Sequence, residues 1–170
     1  MVRWRMLRLA ACTATLLAAG FLLWPSQLAL TISPDSGGSL AYARPVQPGE
    51  RFEIHFIHSV HRTPVKEQFR ISAGREIVLE RVVYETYGVG NPSGPEPGET
   101  FRMEDGKLII EGMERRLPFI MLRVGQKGAD HTLVLDGEET PLAAWCSPGS
   151  LVMVKVSRVP LWSLWRFRLL

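Results

Sequence analysis

The chain has 170 residues, 46% hydrophobic and 22% charged, with 15 Gly, 12 Pro and 2 Cys. That apolar content excludes disorder for the bulk of the chain, the length suits one domain with its own core, and two cysteines cannot build a disulfide scaffold. The net charge of +3 comes from Arg3, Arg5 and Arg8; without these three, 17 basic residues stand against 17 acidic ones, and a neutral domain has no electrostatic footprint for nucleic acid.

Residues 1–25 read as a signal peptide or an uncleaved membrane anchor. Leu9 to Trp24 carries no charge, and as a helix it spans roughly 24 Å, short of a ~30 Å hydrocarbon core. Arginines before the run and none just after it orient the N-terminus toward the cytoplasm. Everything beyond Trp24 is then exported. A cut after Ala29 puts Gln27 in a place that prefers a small residue, and Ala18 and Gly20 lie inside the apolar run, so an uncleaved anchor fits better. Leu9-Ala10-Ala11-Cys12 has the letters of a lipoprotein box, but most of the apolar run follows the cysteine. Cys12 therefore reads as a helix residue, which leaves Cys146 alone in the exported part.

Residues 26–158 predict an all-β domain, a single antiparallel sandwich or barrel-like fold behind the signal or anchor helix. The candidate strands are Leu28–Ile32, Leu40–Ala43, Arg51–His58, Pro64–Ile71, Ile77–Tyr87, Thr100–Glu104, Lys107–Glu111, Phe119–Val124, His131–Leu135 and Leu151–Arg158. They are short and separated by Gly/Pro turn clusters. Asp105-Gly106 suits a two-residue hairpin turn, in which both residues need a positive φ. It pairs Glu104 with Lys107, Met103 with Leu108 and Phe101 with Ile110, with the four apolar residues on one face. Asp136-Gly137 offers a second such turn, with a polar and less convincing return strand. In the tail, residues 159–170, Trp162, Trp165 and Phe167 stand among Arg166 and Arg168. That composition suits either a membrane-interface belt or a segment packed on the β domain.

The chemistry-bearing stretch is Arg51 to Ile71. Alternation turns Phe52, Ile54, Phe56 and His58 inward on one strand, and Val65, Glu67, Phe69 and Ile71 inward on the next. One His and one Glu then face an apolar core, which calls for mutual pairing or a bound ligand. As cross-strand or diagonal neighbours they should form a coupled pair, with His58→Phe or Glu67→Gln each destabilising by on the order of 2–4 kcal/mol. His55, His58 and His61 have a spacing that clusters on a helix, but on a strand His58 faces away from the other two. No metal site and no cofactor is predicted, since a site from His58, Glu67 and His131 needs convergence from distant segments. Ser59 and His58 point to opposite faces of a strand, and Cys146 has no fixed His partner, so an enzyme is not expected. Tyr87–Pro95 is a long glycine-proline loop without the lysine of a phosphate cradle. Arg123, within an apolar run, is an edge-strand charge or a carboxylate-reading guanidinium.

Ile57-His58-Ser59-Val60, then Thr63-Pro64-Val65 and Glu67, resemble a small exported bacterial family, the domain-of-unknown-function family 1850. Gly88-Val89-Gly90-Asn91-Pro92, Leu122-Arg123-Val124-Gly125 and His131-Thr132-Leu133 are similar to its downstream features. The resemblance covers roughly residues 28–158, while His61, Arg62 and the Trp/Arg tail depart from it. Members are often encoded beside permeases of TAXI-type TRAP transporters. The resemblance therefore implies a non-catalytic accessory domain for organic-acid uptake, with the permease or the solute receptor as partner. It carries over no catalytic residues. The residues expected to bind a partner or ligand are His58, Ser59, Glu67, Gly88, Gly90, Pro92, Arg123 and His131. The other reading is a stand-alone extracytoplasmic domain that binds a small ligand or a metal. The membrane is met through the N-terminal helix and, in one reading of the tail, through the Trp/Arg segment.

Overall fold

Period-2 alternation becomes strands throughout the computed structural model, which describes residues 2–86, 88, 94–125 and 130–167. The elements are α1 (Val2–Leu23), β1 (Gln27–Pro34), β2 (Tyr42–Pro45), β3 (Arg51–Ile57), β4 (Pro64–Ile71), β5 (Ile77–Tyr84), β6 (Thr100–Glu104), β7 (Lys107–Leu117), β8 (Ile120–Arg123), β9 (Thr132–Leu135), β10 (Glu138–Pro141), a 3₁₀ turn (Leu142–Ala144), β11 (Leu151–Val159) and α2 (Leu161–Trp165).

Among the described residues the strands form two antiparallel sheets, one of four in the order β2-β1-β11-β8 and one of seven in the order β10-β9-β3-β4-β5-β7-β6. Leu30, Ile32, Val152 and Val154 of the first pack with Phe52, Ile54, Phe69, Ile71, Leu133 and Leu135 of the second in one buried cluster. The all-β sandwich is therefore the architecture. The barrel-like alternative is corrected: the sheets do not close on each other, and each keeps two edges. Pro45 removes a backbone donor from the β2 edge, which blunts it against strand addition. A second buried cluster of Val65, Val82, Tyr84, Leu108, Ile110 and Met113 draws only on the seven-stranded sheet.

The Asp105-Gly106 hairpin has the predicted register, with Glu104 opposite Lys107, Met103 opposite Leu108 and Phe101 opposite Ile110. Both turn residues have positive φ, 50° and 74°. Its apolar face is not uniformly covered, because β6 is an edge strand and leaves Met103 66% exposed. Asp136-Gly137 likewise turns at φ 53° and 78°, and the polar return strand β10 forms beside β9. The expected strand Lys107–Glu111 continues to Leu117. Gly112 at φ 75° is not a stop but a bulge, where the register to β5 shifts. The expected Leu40–Ala43 shifts to Tyr42–Pro45, and Ile77–Tyr87 ends at Tyr84.

Charge neutrality has a structural address. On the outward face of the seven-stranded sheet, Arg51 meets Glu80 at 2.7 Å, Arg70 meets Glu114 at 2.9 Å and Arg116 meets Glu76 at 3.2 Å. Such exposed pairs contribute at most about 1 kcal/mol each, so they keep the face soluble more than they hold the fold.

The uncharged N-terminal run lies within α1, which leaves Leu16, Leu17, Leu23 and the following Trp24 exposed. Among the described residues, no helix is long and apolar enough to cross a membrane.

Candidate functional site

The β3–β4 connection places the histidines. Ile57 opposite Pro64 is the last paired position, so residues 58–63 form the turn. The His58 amide donates to the Thr63 carbonyl at 2.9 Å, and the Arg62 amide donates back to the His58 carbonyl at 2.8 Å, with Arg62 at φ 56°. The buried His58 ring closes this turn from inside: its Nδ1 accepts the amides of Val60 and His61, both at 3.3 Å. With Nδ1 occupied as an acceptor, the neutral ring carries its proton on Nε2. We expect His58→Ala to cost about 1–2 kcal/mol in urea unfolding, because two turn amides lose their acceptor. His58→Asn should recover part of that loss, and a His58→Ala midpoint equal to the parent's would exclude the capping role.

The expectation that His58 and His61 face opposite ways is corrected, because both belong to the turn and their rings meet at 4.7 Å. His61 in turn lies against Gly88, where a Cβ would come within 2.6 Å of Nε2 at a backbone φ of 142°. The approach therefore needs glycine at this position. His61 Nε2 and Thr63 Oγ1 are buried without a hydrogen-bond partner among the described residues. Ser59 is exposed on the turn.

Glu67 does not pair with His58. Alternation placed both on the inner face correctly, but Glu67 stands opposite Ile54 on one side and Val82 on the other. With His58 four residues beyond Ile54, the two are separated by about 13 Å along the strand. The six-residue turn sets that offset. A turn centred two residues later, at Arg62-Thr63, would have set His58 opposite Glu67. Glu67 thus interrupts an otherwise apolar row, Leu133–Ile54–Glu67–Val82–Ile110, that runs across five strands. No hydrogen bond or ion pair reaches its carboxyl among the described residues. Loss of water raises its pKa from 4.5 to about 7.

The other expected site residues divide. His131 stacks on Phe56 with ring centroids 5.1 Å apart, at the same end of the sheet as the turn. Arg123 ends the edge strand β8 and donates to the Gly149 carbonyl at 2.8 Å, so it is an edge-strand charge. Gly90 and Pro92 lie outside the described residues. Among the described residues, no group of three His, Cys, Asp or Glu side chains is placed to hold a metal ion. Cys146 is buried and its thiol is pushed up by desolvation, the opposite of an activated nucleophile.

A second concavity went unread in the sequence. Between the β2 edge of one sheet and the β9–β10 edge of the other lies a groove of about 980 Å³. Tyr42 and Trp145 stack on one wall at 4.1 Å, with Phe167 at 6.4 Å from Tyr42. Arg44 on the rim reaches Asp136 at 2.7 Å and Glu138 at 3.4 Å. Burial raises the Tyr42 phenol, and the neighbouring Arg44 partly offsets that rise. The groove joins segments nearly a hundred residues apart, so no local motif announces it. Only the sheet order brings them together.

A family model described as a domain of unknown function (DUF1850) matches residues 52–142, which include His58, Glu67, Arg123 and His131. The match spans more than half of the chain, and the chain belongs to that family. No curated protein and no solved structure matches it.

Proposed function

We propose that this DUF1850 member is a membrane-tethered, non-catalytic extracytoplasmic accessory domain that docks a protein partner in the groove between its open sheet edges. Following the family resemblance, that partner is the permease or the solute receptor of a TAXI-type TRAP organic-acid uptake system. The groove carries the reading. Its volume suits a recognition site, and its wall presents an aromatic stack of the kind that anchors interfaces. Its lining has Glu50, Asp136 and Glu138 against Arg44. That excess of negative charge repels a free organic-acid anion and attracts a basic protein segment. The chemistry-bearing side chains point away from catalysis. His58 is engaged in its turn, Ser59 is exposed on it, and Cys146 is disfavoured as a thiolate. The exposed leucines of α1 support the tether.

A stand-alone ligand-binding role draws on a different observation, the Glu67 carboxyl set in an apolar row without a partner among the described residues. Affinity purification of the full chain from native membranes separates the two. Copurification of a TRAP permease or receptor, lost in Glu138→Lys with the circular dichroism spectrum unchanged, is the expected result. Recovery of a bound organic acid or metal without either protein, insensitive to Glu138→Lys and lost in Glu67→Gln, would replace docking with ligand binding.

A further inference from the structure

We infer that Trp24, Trp162 and Trp165 form a seat that rests α2 and the adjoining end of the four-stranded sheet on the headgroup layer of an anionic bilayer. The inference deepens the tether reading and depends on it for which membrane is met. The register of β1 against β11 pairs Gln27 with Val159, so the end of α1 and the start of α2 emerge side by side. Arg158 ties the two ends by donating to the Ser26 carbonyl at 3.0 Å. Contacts between α1 and α2 extend the junction.

At this junction three indoles are turned outward. Pro160 ends β11, and Ser163 Oγ donates to the Pro160 carbonyl at 2.7 Å to set the first turn of α2. Ser163 and Leu164 are buried. Trp162 and Trp165, three positions apart on one helix face, are 49% and 59% exposed, and Trp24 is 70% exposed. An indole has an apolar body and one N–H that stays wet, which suits it to the boundary between headgroups and acyl chains.

Charge gives the same direction. No Asp or Glu precedes Asp35 or follows Glu139, so all 17 acidic residues lie between those two positions. The segment after Glu139 carries Lys155, Arg158, Arg166 and Arg168 and no opposing charge. Arg158 and Arg166, which flank α2 in sequence, are both exposed. Cations of one sign beside interfacial indoles are the chemistry of an anionic lipid surface. A seat of this kind needs no spanning helix.

The test uses the full chain in vesicles of phosphatidylglycerol and phosphatidylcholine, with single-Trp variants in which the other tryptophans are Phe. Lipids brominated near the headgroup should quench Trp162 and Trp165 about twofold, and more than lipids brominated at mid-chain. Trp145, stacked on Tyr42 in the groove, should be unaffected. The quenching of Trp162 and Trp165 should weaken in Arg158→Gln, Arg166→Gln double variants. A nitroxide at Trp162→Cys, in an otherwise tryptophan-intact chain with Cys12 and Cys146 replaced by Ser, should show the same shallow depth. That second probe covers any loss of folding in the Phe-substituted set. Quenching of Trp24 without Trp162 and Trp165 would overturn the seat and keep the tether. Quenching of none would overturn both. Quenching of Trp162 and Trp165 without Trp24 would overturn the three-tryptophan seat and count against α1 as the tether.

Discussion

Glu67→Gln should raise stability by about 2–3 kcal/mol at pH 8 and leave it nearly unchanged at pH 4. The carboxyl sits between Ile54 and Val82 with no partner among the described residues. Its pKa of about 7 in the folded chain stands against 4.5 as the reference. Below pH 4.5 both states hold the proton, and the group costs nothing through ionisation. Between 4.5 and 7 the unfolded chain releases its proton while the folded chain retains it, so stability falls as pH rises. Above 7 the folded chain carries a desolvated carboxylate and the cost is complete, on the order of 3 kcal/mol for a shift of this size. Gln has nearly the same shape and never ionises, so it removes the pH-dependent cost alone. The difference between the two urea midpoints, followed from pH 4 to 8, isolates Glu67 from every other titrating group. Parallel profiles would show that the carboxyl is solvated or partnered after all.

This expectation has the opposite sign to the one the sequence supports, and the contrast marks what alternation can and cannot say. A period-2 pattern assigns a face, and here His58, Glu67, Phe52, Ile54 and Phe69 all take the face it assigns. It does not assign register unless the turn does. Asp105-Gly106 dictates a two-residue hairpin through its φ requirements, so every pair around it is legible. His58 to Thr63 contains no such pair of turn residues. Its geometry comes from the His58 imidazole accepting the amides two and three residues on, a local contact that the usual turn-residue preferences for Gly, Pro, Asn, Asp and Ser do not announce. Gly112 illustrates a related ambiguity, since one glycine can end a strand or bulge it. The choice depends on the neighbouring strand, against which the register shifts. The groove was illegible for a simpler reason. Tyr42 and Trp145 meet because β2 edges one sheet while the segment after β10 edges the other, and sheet order is a global property.

The core makes a second demand, and the largest single loss should come from Phe69→Ala, at about 3–5 kcal/mol. Phe52 and Phe69 are opposed across β3 and β4, stacked at 5.1 Å and each 1% exposed. They belong to the cluster that also contains Leu30, Ile32, Val152 and Val154 of the facing sheet. Truncation removes the apolar transfer energy of the ring and opens a cavity that two hydrogen-bonded sheets cannot collapse to fill. Against a total stability of roughly 5–15 kcal/mol, that is enough to leave the domain marginal at 37 °C. Phe69→Leu keeps most of the volume and should cost less than half as much. The Phe52→Ala, Phe69→Ala double variant should fall short of the summed losses by about 0.5–1.5 kcal/mol, since the ring–ring contact can be lost only once. Additive losses would mean that the rings fill space independently. A Phe69→Ala loss below 1 kcal/mol would mean that the sheets are not held together here, and that the groove at their open edge rests on a looser frame than docking requires.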